Sequence, residues 1–275
     1  MAEDGFTRHV RACNNARLPG ERTPLWIGHG RVGWMAPAIN AALAGHALFR
    51  QRDDGLALTD PAALPDIAED LSRRGLFRWR AEAFDVRADP DGSVLARIDR
   101  GALPKFGIQA QGVHVNGLVT RPDGAHLWIA RRAMNKALDP GKLDHIVAGG
   151  VPAGLGVSET LTKEAEEEAS IPPGLAAKAV PVGMIRYATE REEGLRRDRL
   201  ACYDLELPPD FTPVAADGEV EAFELWPLRR AFETVRDTDA FKFNVNLVLI
   251  DLFIRRGLIE GQGAAALRAG LAGGC

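Results

Sequence analysis

The stretch AGGVPAGLGVSETLTKEAEEEASIPP, residues 148–173, constrains the fold of this chain more than any other segment. A glycine-rich loop leads into a segment of helical composition that carries four glutamates within five positions. Residues three and four apart are neighbours on a helix, so Glu164 lies beside both Glu167 and Glu168. Each like-charge pair costs about 0.2–0.5 kcal/mol in an isolated helix. The stability of the helix alone would not favour this cluster of glutamates.

Two interpretations of the acidic helix are open on physical grounds. Most charge runs are solvated helix faces. However, Leu161 and Ala165 form an apolar edge beside Glu164, which places Glu164 at the core boundary and leaves Glu166 in solvent. Glu164, Glu167 and Glu168 would then bind a hard divalent cation, Mg²⁺ or Mn²⁺, whose preferred ligands are carboxylate oxygens.

The residues around this helix resemble a Nudix box. That motif is a glycine, five residues, a glutamate, seven residues and then Arg-Glu-aliphatic-x-Glu-Glu-x-Gly-aliphatic. Gly149 takes the place of the first glycine, and the metal-binding glutamates of the family fall on Glu164, Glu167 and Glu168. The resemblance implies that a backbone carbonyl at Ala148, next to Gly149, is a further metal ligand.

Three positions depart from the general Nudix pattern. Leu155 stands where the first glutamate belongs, Lys163 replaces the arginine, and Ser170 replaces the second glycine. The missing glutamate and arginine normally form a pair that braces the loop against the helix. The departures therefore affect how the loop is braced against the helix, whereas all three metal-binding carboxylates remain.

Further stretches resemble a narrower group, the Nudix part of thiamine pyrophosphokinase fusion proteins. They run from about residue 25 to residue 257 and include FGIQAQGVHVNG, PGKLDHIVAGG, YDLELPPDFTP and FKFNVNLVLIDLFIRRG. The resemblance implies a Nudix α/β/α sandwich with a mixed sheet, preceded by a small α+β domain. It also implies a diphosphatase that converts a small organic diphosphate, such as oxidised thiamine diphosphate, to its monophosphate and phosphate.

Hydrophobic patterning and turn signals agree with an α/β (α+β) chain of two units. We expect an α+β domain over residues 1–103, a second domain over 104–262 and an Ala/Gly-rich tail over 263–275 that is either a weak helix or frayed. The pattern predicts hairpins around the turns Asp53-Asp54-Gly55 and Asp89-Pro90-Asp91-Gly92. The acidic helix is predicted over residues 159–169, with Ser158 as its N-cap.

Composition excludes several classes of protein. The 275 residues carry a net charge of −4, which argues against a nucleic-acid backbone as the main ligand. Apolar runs stay shorter than the roughly eighteen residues of a membrane span. The three cysteines fit neither a disulfide framework nor a zinc site. With no apolar stretch of a secretory signal near the start, a cytoplasmic location is expected.

The reaction needs a general base and positive charge for the phosphates. A Nudix base can be a glutamate of the box, such as Glu167, or a later carboxylate. The run Asp217-Gly218-Glu219-Val220-Glu221 offers the later one, and Glu219 is preferred over Glu221. An exposed edge-strand face is an equally good explanation of either side chain alone.

The candidate substrate-binding residues are cations and cleft polar groups: Arg131, Arg132, Lys136, Gln111 and His114. Arginine suits bidentate phosphate contacts and lysine a point charge. On a regular strand Arg131 and Arg132 point to opposite faces, so at most one enters the cleft.

Several alternatives stay open. The substrate could be another nucleoside diphosphate derivative. An isopentenyl-diphosphate isomerase would need a cysteine–glutamate pair, and the cysteines do not fall where that chemistry expects them. A non-catalytic Nudix binding module would be expected to lose box carboxylates, which are intact. Partners are expected to be limited to the small diphosphate and, because Nudix folds often dimerise, a second copy of the chain.

Overall fold

The computed structural model describes residues 5–216 and 218–273. Its first part carries short elements: α1 (Thr7–Cys13), β1 (Thr23–Ile27), β2 (Gly30–Met35), α2 (Pro37–Leu43), β3 (Phe49–Arg52), β4 (Gly55–Leu58), α3 (Leu64–Arg73), β5 (Ala83–Val86), β6 (Ala96–Asp99) and α4 (Leu103–Phe106). The strands β1 to β4 form one sheet in the order β2-β1-β4-β3, and β5 pairs with β6 as a separate hairpin. Both predicted hairpins are confirmed.

Local sequence explains why this first unit forms these elements. Asp60 caps the 3₁₀ turn before α3 by accepting a hydrogen bond from the Ala62 N–H at 3.1 Å, as expected for an aspartate followed by proline. The apolar stripe of α3, which includes Ile67 and Leu71, packs with Phe84 and Ile98 of the β5–β6 hairpin in one buried cluster. The hairpin therefore belongs to the core of the first unit.

The second part contains longer strands: β7 (Gln109–Arg121), β8 (Gly124–Arg132), β9 (Leu143–His145), β10 (Val147–Gly150), α5 (Val157–Ala169), α6 (Pro173–Ala176), β11 (Val180–Arg191), β12 (Gly194–Glu206), β13 (Val220–Pro227), α7 (Leu228–Asp237), α8 (Val245–Arg255) and α9 (Gly261–Leu271). The sheet order is β11-β12-β7-β8-β13, with β10 added beside β7 and β9 beside β8. Because β12 runs parallel to β7 and the other pairs are antiparallel, the sheet is mixed, as predicted.

Helices cover both faces of this sheet. On one face, Leu161, Ala165 and Ala169 of α5 pack against Val115 and Val147. On the other face, the almost wholly apolar α8 packs with α1, α7 and α9 against strand residues such as Leu127 and Leu200. This α/β/α sandwich confirms the predicted fold class.

The two ends of the described chain meet on that second face. Phe6 and Val10 near the start belong to the same cluster as Leu267 and Leu271 of α9. A Cβ added at Gly270 would lie 2.3 Å from Val10 Cγ1, so a glycine lets α9 approach α1 closely.

Of the two alternatives for the tail, a packed helix is observed up to Leu271; Cys275 lies outside the described residues. The division at residues 103 and 104 stays a prediction, and α1 packs with the second unit.

Within the described ranges, none of the helices combines the length and apolar character that crossing a bilayer requires.

Candidate active site

The acidic helix begins earlier than predicted. Its N-cap is Gly156, two residues before Ser158, and the helix runs over Val157–Ala169. The Glu159 carboxylate reaches back to accept a hydrogen bond from the Gly156 N–H at 2.7 Å, which satisfies one of the amides left free at a helix start. The sequence expectation was wrong because this local hydrogen bond outweighs the usual preference for serine at the cap.

The glycine-rich strand β10 lies against this helix at a distance that only glycine allows. A Cβ added at Gly149 would be 2.5 Å from Cδ, 2.6 Å from Cγ and 2.7 Å from Oε2 of Glu164. Real side-chain contacts are longer, so any other residue would displace the carboxylate. The glycine that opens the box motif therefore fixes where Glu164 lies.

Glu168 is the most buried carboxylate of the box, at 8% exposure. Its Oε2 accepts a hydrogen bond from the Ala148 N–H at 2.8 Å. Burial raises the pKa of Glu168 well above its ordinary value, and the charges of Asp144 and Glu164 raise it further. The hydrogen bond from the Ala148 N–H acts in the opposite direction and lowers this pKa. Ala148 thus orients Glu168 through its N–H; its predicted role as a carbonyl ligand stays a prediction.

Lys163 pairs with both Glu164 and Glu167. The Lys163 ammonium forms an ion pair with Glu167 and lies 3.4 Å from Oε1 of Glu164. Burial raises the pKa of Glu164, with further increases from the charges of Glu167 and Glu219 and a decrease from Lys163. Glu166 is exposed, as predicted. Lys163, which replaces the arginine of the general pattern, therefore neutralises the two outer carboxylates.

Glu219 faces the acidic helix from the other side of the site. Its carboxylate forms an ion pair with Lys136, and its charge acts on Glu164. Burial raises the pKa of Glu219, but the hydrogen bond and charge of Lys136 outweigh it, and Arg100 lowers the pKa further. The structure thus brings together Glu219, Lys136 and Glu164 from distant segments. Asp217 of the same acidic run lies outside the described residues.

The two adjacent arginines point in opposite directions, as the strand alternation predicts. Arg131 is half-exposed and lies 3.6 Å from Glu224. Arg132 is buried, forms an ion pair with Asp144 at 2.7 Å and donates to the Leu138 and Asp139 carbonyls. Each of the three guanidinium nitrogens of Arg132 donates within the protein, so the structure gives this residue a structural role; its predicted phosphate contact stays a prediction.

His114 also lies away from the open cleft. It is buried, and its Nδ1 is 3.0 Å from Nδ1 of His145. Within the described part of the chain, His114, Asp144 and His145 are the group whose ligand atoms all lie within 4.8 Å of one another. Asp144 is also paired with Arg132 and with Lys242. Two cations beside the only carboxylate disfavour a metal ion here, and the cluster is better described as a buried polar network.

Protonation within this network agrees with that description. Burial lowers the pKa of His145 to about 4, against the opposing charge of Asp144, and lowers that of His114 well below its ordinary value. Both imidazoles are therefore neutral near pH 7, and one donates its hydrogen bond to the other. Burial also lowers the pKa of Lys242, while Asp144 raises it.

Gln111 lines a cavity between the first unit and the central sheet. The cavity has a volume of about 50 Å³ and opens to solvent, and its lining consists of Phe84, Asp85, Arg87, Pro90, Gln109, Ala110, Gln111, Val151, Pro152, Leu155 and Arg199. Leu155, one of the departures from the box pattern, forms part of this wall. The sequence did not predict that Phe84, Asp85 and Arg87 of the first unit line this cavity, or that Arg100 lowers the pKa of Glu219. These residues lie in a segment outside the motif.

The carboxylates of Glu164, Glu167 and Glu168 do not all come within 4.8 Å of one another among the described residues, so their binding of one divalent cation stays a prediction. Glu164 and Glu168 both have raised pKa values because burial and like charges oppose their ionised forms, and a cation placed among them would reverse that effect. Glutamate oxygens are the ligands that Mg²⁺ and Mn²⁺ prefer. An α/β/α sandwich with an acidic helix packed against a glycine strand is the arrangement expected of a Nudix fold.

Comparison with known proteins identifies the family. A family model described as "NUDIX domain" matches residues 110–245. The chain is 41% identical to Nudix hydrolase 24, chloroplastic, of Arabidopsis thaliana, a match that covers 94% of this chain and 74% of that protein. It is 36% identical to Nudix hydrolase 20, chloroplastic, of the same plant, over 96% of this chain and 76% of that protein. The chain therefore belongs to the Nudix hydrolase family and acts on pyrophosphate bonds.

Among solved structures, the crystal structure of DR0079 from Deinococcus radiodurans is similar to this chain at 22% identity. The match has a TM-score of 0.46 and covers 68% of this chain and 98% of that one.

Proposed function

We propose that this chain is a Mg²⁺- or Mn²⁺-dependent diphosphatase that cleaves a small organic diphosphate to its monophosphate and phosphate. Oxidised thiamine diphosphate is the candidate substrate, supported by the resemblance to the Nudix part of thiamine pyrophosphokinase fusion proteins. The observation that carries the diphosphatase proposal is the buried Glu168, oriented by Ala148 and placed beside Glu164 at a strand where only glycine fits.

The roles of the residues follow from their positions. Glu164, Glu167 and Glu168 would hold the cation, with Ala148 as the proposed backbone ligand. When bound, the metal supplies charge neutralisation at the phosphates and activation of water. Lys163 pairs with Glu164 and Glu167, so it must release them when they bind metal and is then free to meet a phosphate oxygen.

Glu219 is the proposed general base, with Glu167 as the alternative. The lowered pKa of Glu219 keeps it ionised near neutral pH, so it can accept the proton of the attacking water. Water adds to phosphorus as the bridging P–O bond breaks, and the products are a monophosphate and phosphate. Lys136 is paired with Glu219 and therefore places a positive charge beside the proposed base. Arg131 stays a candidate phosphate contact at the edge of the site.

An activity panel tests this proposal. The protein is incubated with Mg²⁺ or Mn²⁺ and thiamine diphosphate, its oxidised forms, ADP-ribose and nucleoside diphosphates, and released phosphate and monophosphates are measured. Glu167→Gln and Glu219→Gln should each lose activity while the fold is kept. Glu166→Gln is the matched control, because Glu166 is an exposed glutamate of the same helix. Absence of hydrolysis of every compound would refute the diphosphatase proposal.

The alternative functions receive less support from the described residues. The two described cysteines, Cys13 and Cys202, are buried, and burial raises the pKa of each thiol to about 12. Neither is suited to the proton transfer of an isopentenyl-diphosphate isomerase. A silent binding module would not need the intact carboxylates. A homodimer and a cytoplasmic location stay predictions.

A further inference from the structure

We propose that Arg100 of the first unit binds a phosphate group of the substrate in the Nudix active site. Two parallel N–H groups of a guanidinium can hold two phosphate oxygens at once. Arg100 lies outside residues 110–245, which match the Nudix family, so the first unit would complete the active site. This inference rests on the proposed diphosphatase function and adds a phosphate-binding residue to it.

The cations that the sequence assigned to the phosphates have partners within the protein. Arg132 donates from each of its three guanidinium nitrogens. Lys136 forms an ion pair with Glu219, and Arg131 lies 3.6 Å from Glu224. A phosphate that binds to any of these three has to displace a carboxylate or a carbonyl, so a cation with an unoccupied edge is the better candidate for a bidentate contact.

Arg100 has such an edge. Its Nη1 donates to Oε2 of Glu82 at 2.7 Å, whereas Nε and Nη2 form no hydrogen bond within the described part of the chain. The Arg100 side chain is 52% exposed, and that of Glu82 is 34% exposed. An ion pair this exposed is weak, and Nε and Nη2 together form the side of the guanidinium that binds a phosphate with two N–H groups.

Backbone hydrogen bonds fix the position of Arg100. Its N–H donates to the Glu82 carbonyl at 2.7 Å. The buried carboxylate of Asp99 accepts hydrogen bonds from the Gly101 N–H at 2.7 Å and from the Arg80 N–H at 3.0 Å. The end of the β5–β6 hairpin is therefore held in place by the first unit itself, and the guanidinium is positioned before a ligand binds.

The same hairpin is attached to the loop that joins β10 to α5. The Ala153 N–H of that loop donates to the Ala83 carbonyl at 2.7 Å. The guanidinium carbon of Arg100 lies 5.9 Å from the centre of the Phe84 ring, and a Cβ added at Gly150 would lie 2.7 Å from Cζ of that ring. These contacts place Arg100 beside the start of the glycine-rich loop.

The charge of Arg100 also reaches the carboxylate side of the site. Burial raises the pKa of Glu219, while Lys136 and Arg100 lower it. The charge of Glu219 in turn raises the pKa of Glu164. Because interactions between charges weaken with distance, these groups lie near one another. A phosphate bound near Glu219 and Glu164 would therefore meet one cation from each unit.

The experiment compares Arg100→Gln, Arg100→Lys and Arg74→Gln in the full chain. Arg74 is the matched control, because it is an exposed arginine of the first unit with one acidic partner, Asp70, at 3.5 Å. Binding of methylene diphosphonate, in which carbon replaces the bridging oxygen, is measured by calorimetry with Mg²⁺. Hydrolysis of thiamine diphosphate, its oxidised forms and ADP-ribose is measured alongside, together with Tm.

Arg100→Gln removes a charge-assisted hydrogen-bond donor, so Kd for methylene diphosphonate and KM for the hydrolysed substrate should rise about tenfold or more. Arg100→Lys keeps the charge but loses the two parallel N–H groups, and its values should fall between those of Arg100→Gln and the wild type. Arg74→Gln should stay within about twofold of the wild type.

Equal Kd values for the wild type and Arg100→Gln overturn the inference, and so does an equal loss of binding in Arg100→Gln and Arg74→Gln. If Arg100→Gln lowers Tm, Arg100→Lys decides: weaker binding at the wild-type Tm supports the inference, and unchanged binding overturns it. If the wild type hydrolyses nothing, the proposed function fails, and binding tests Arg100 separately. Methylene diphosphonate binding that Arg100→Gln weakens then supports the inference, and absence of binding to the wild type overturns it.

Discussion

The substitution Gly149→Ala tests the close approach of β10 to α5. The added Cβ would lie 2.5–2.7 Å from three atoms of Glu164, whereas ordinary contact begins at 3.4 Å. Overpacking of this kind costs about 1–3 kcal/mol, and the loss of glycine freedom in the unfolded chain offsets about 0.4–1 kcal/mol. The net expectation is a destabilisation of about 1–2 kcal/mol, a shift of roughly 2–4 °C in Tm for a chain of this size.

Gly183→Ala is the matched control. Gly183 also lies in a strand, and a Cβ there would meet no atom within 4 Å, so it should be neutral or slightly stabilising. Stability is measured by thermal and urea unfolding in metal-free buffer. The same substitution is then made in a Glu164→Ala background, where the clash is gone and Gly149→Ala should cost close to nothing.

Activity gives a second measure of the same contact. Because Gly149→Ala displaces Glu164, kcat with Mg²⁺ should fall, whereas Gly183→Ala should keep the wild-type rate. The reasoning is refuted if Gly149→Ala and Gly183→Ala have the same stability, or if the cost of Gly149→Ala is unchanged when Glu164 is absent.

Three further comparisons of variants test other parts of the site. Ser170 has a left-handed φ of 53°, so Ser170→Gly should be about 1 kcal/mol more stable than Ser170→Ala in urea unfolding; equal stabilities would contradict this. Arg132→Ala should cost about 1–3 kcal/mol because it removes one of the two cations paired with the buried Asp144 and leaves the Leu138 and Asp139 carbonyls without their donor, whereas Arg131→Ala should change stability by less than about 1 kcal/mol. Folding raises the pKa of Glu168 above its ordinary 4.5, so its contribution to stability is present below that value and is lost as pH rises through the raised pKa. In metal-free buffer, Glu168→Gln should therefore gain Tm relative to the wild type as pH rises above 4.5, and a pH-independent difference would show that the carboxylate is not perturbed.

The local features of the site could be predicted from the sequence. Spacing within one helix sets which side chains share a face, so the burial of Glu168 and the exposure of Glu166 follow from the helix period, and Glu167 is exposed at the edge of the same face. The alternation of a strand likewise predicted that Arg131 and Arg132 point in opposite directions. These relations depend only on neighbours in the chain.

Other features depended on distant residues and could not be predicted. Arg132 looked like a phosphate ligand, but Asp144 pairs with it in the interior. His114 looked like a cleft residue, but it pairs with His145. A charged or polar side chain has the same sequence pattern in either role, and only packing decides which partner it meets.

The sequence by itself determined the acidic helix behind a glycine-rich loop through local periodicity, and it determined the family and the mixed α/β/α architecture through the resemblance that the motif carries. Tertiary structure decided which groups surround that helix. It placed Lys136 on Glu219, and it brought the hairpin that carries Phe84 and Asp85 against the loop that carries Leu155. Those contacts join segments that are far apart in the chain, and they form only when the two units pack and exclude water between them.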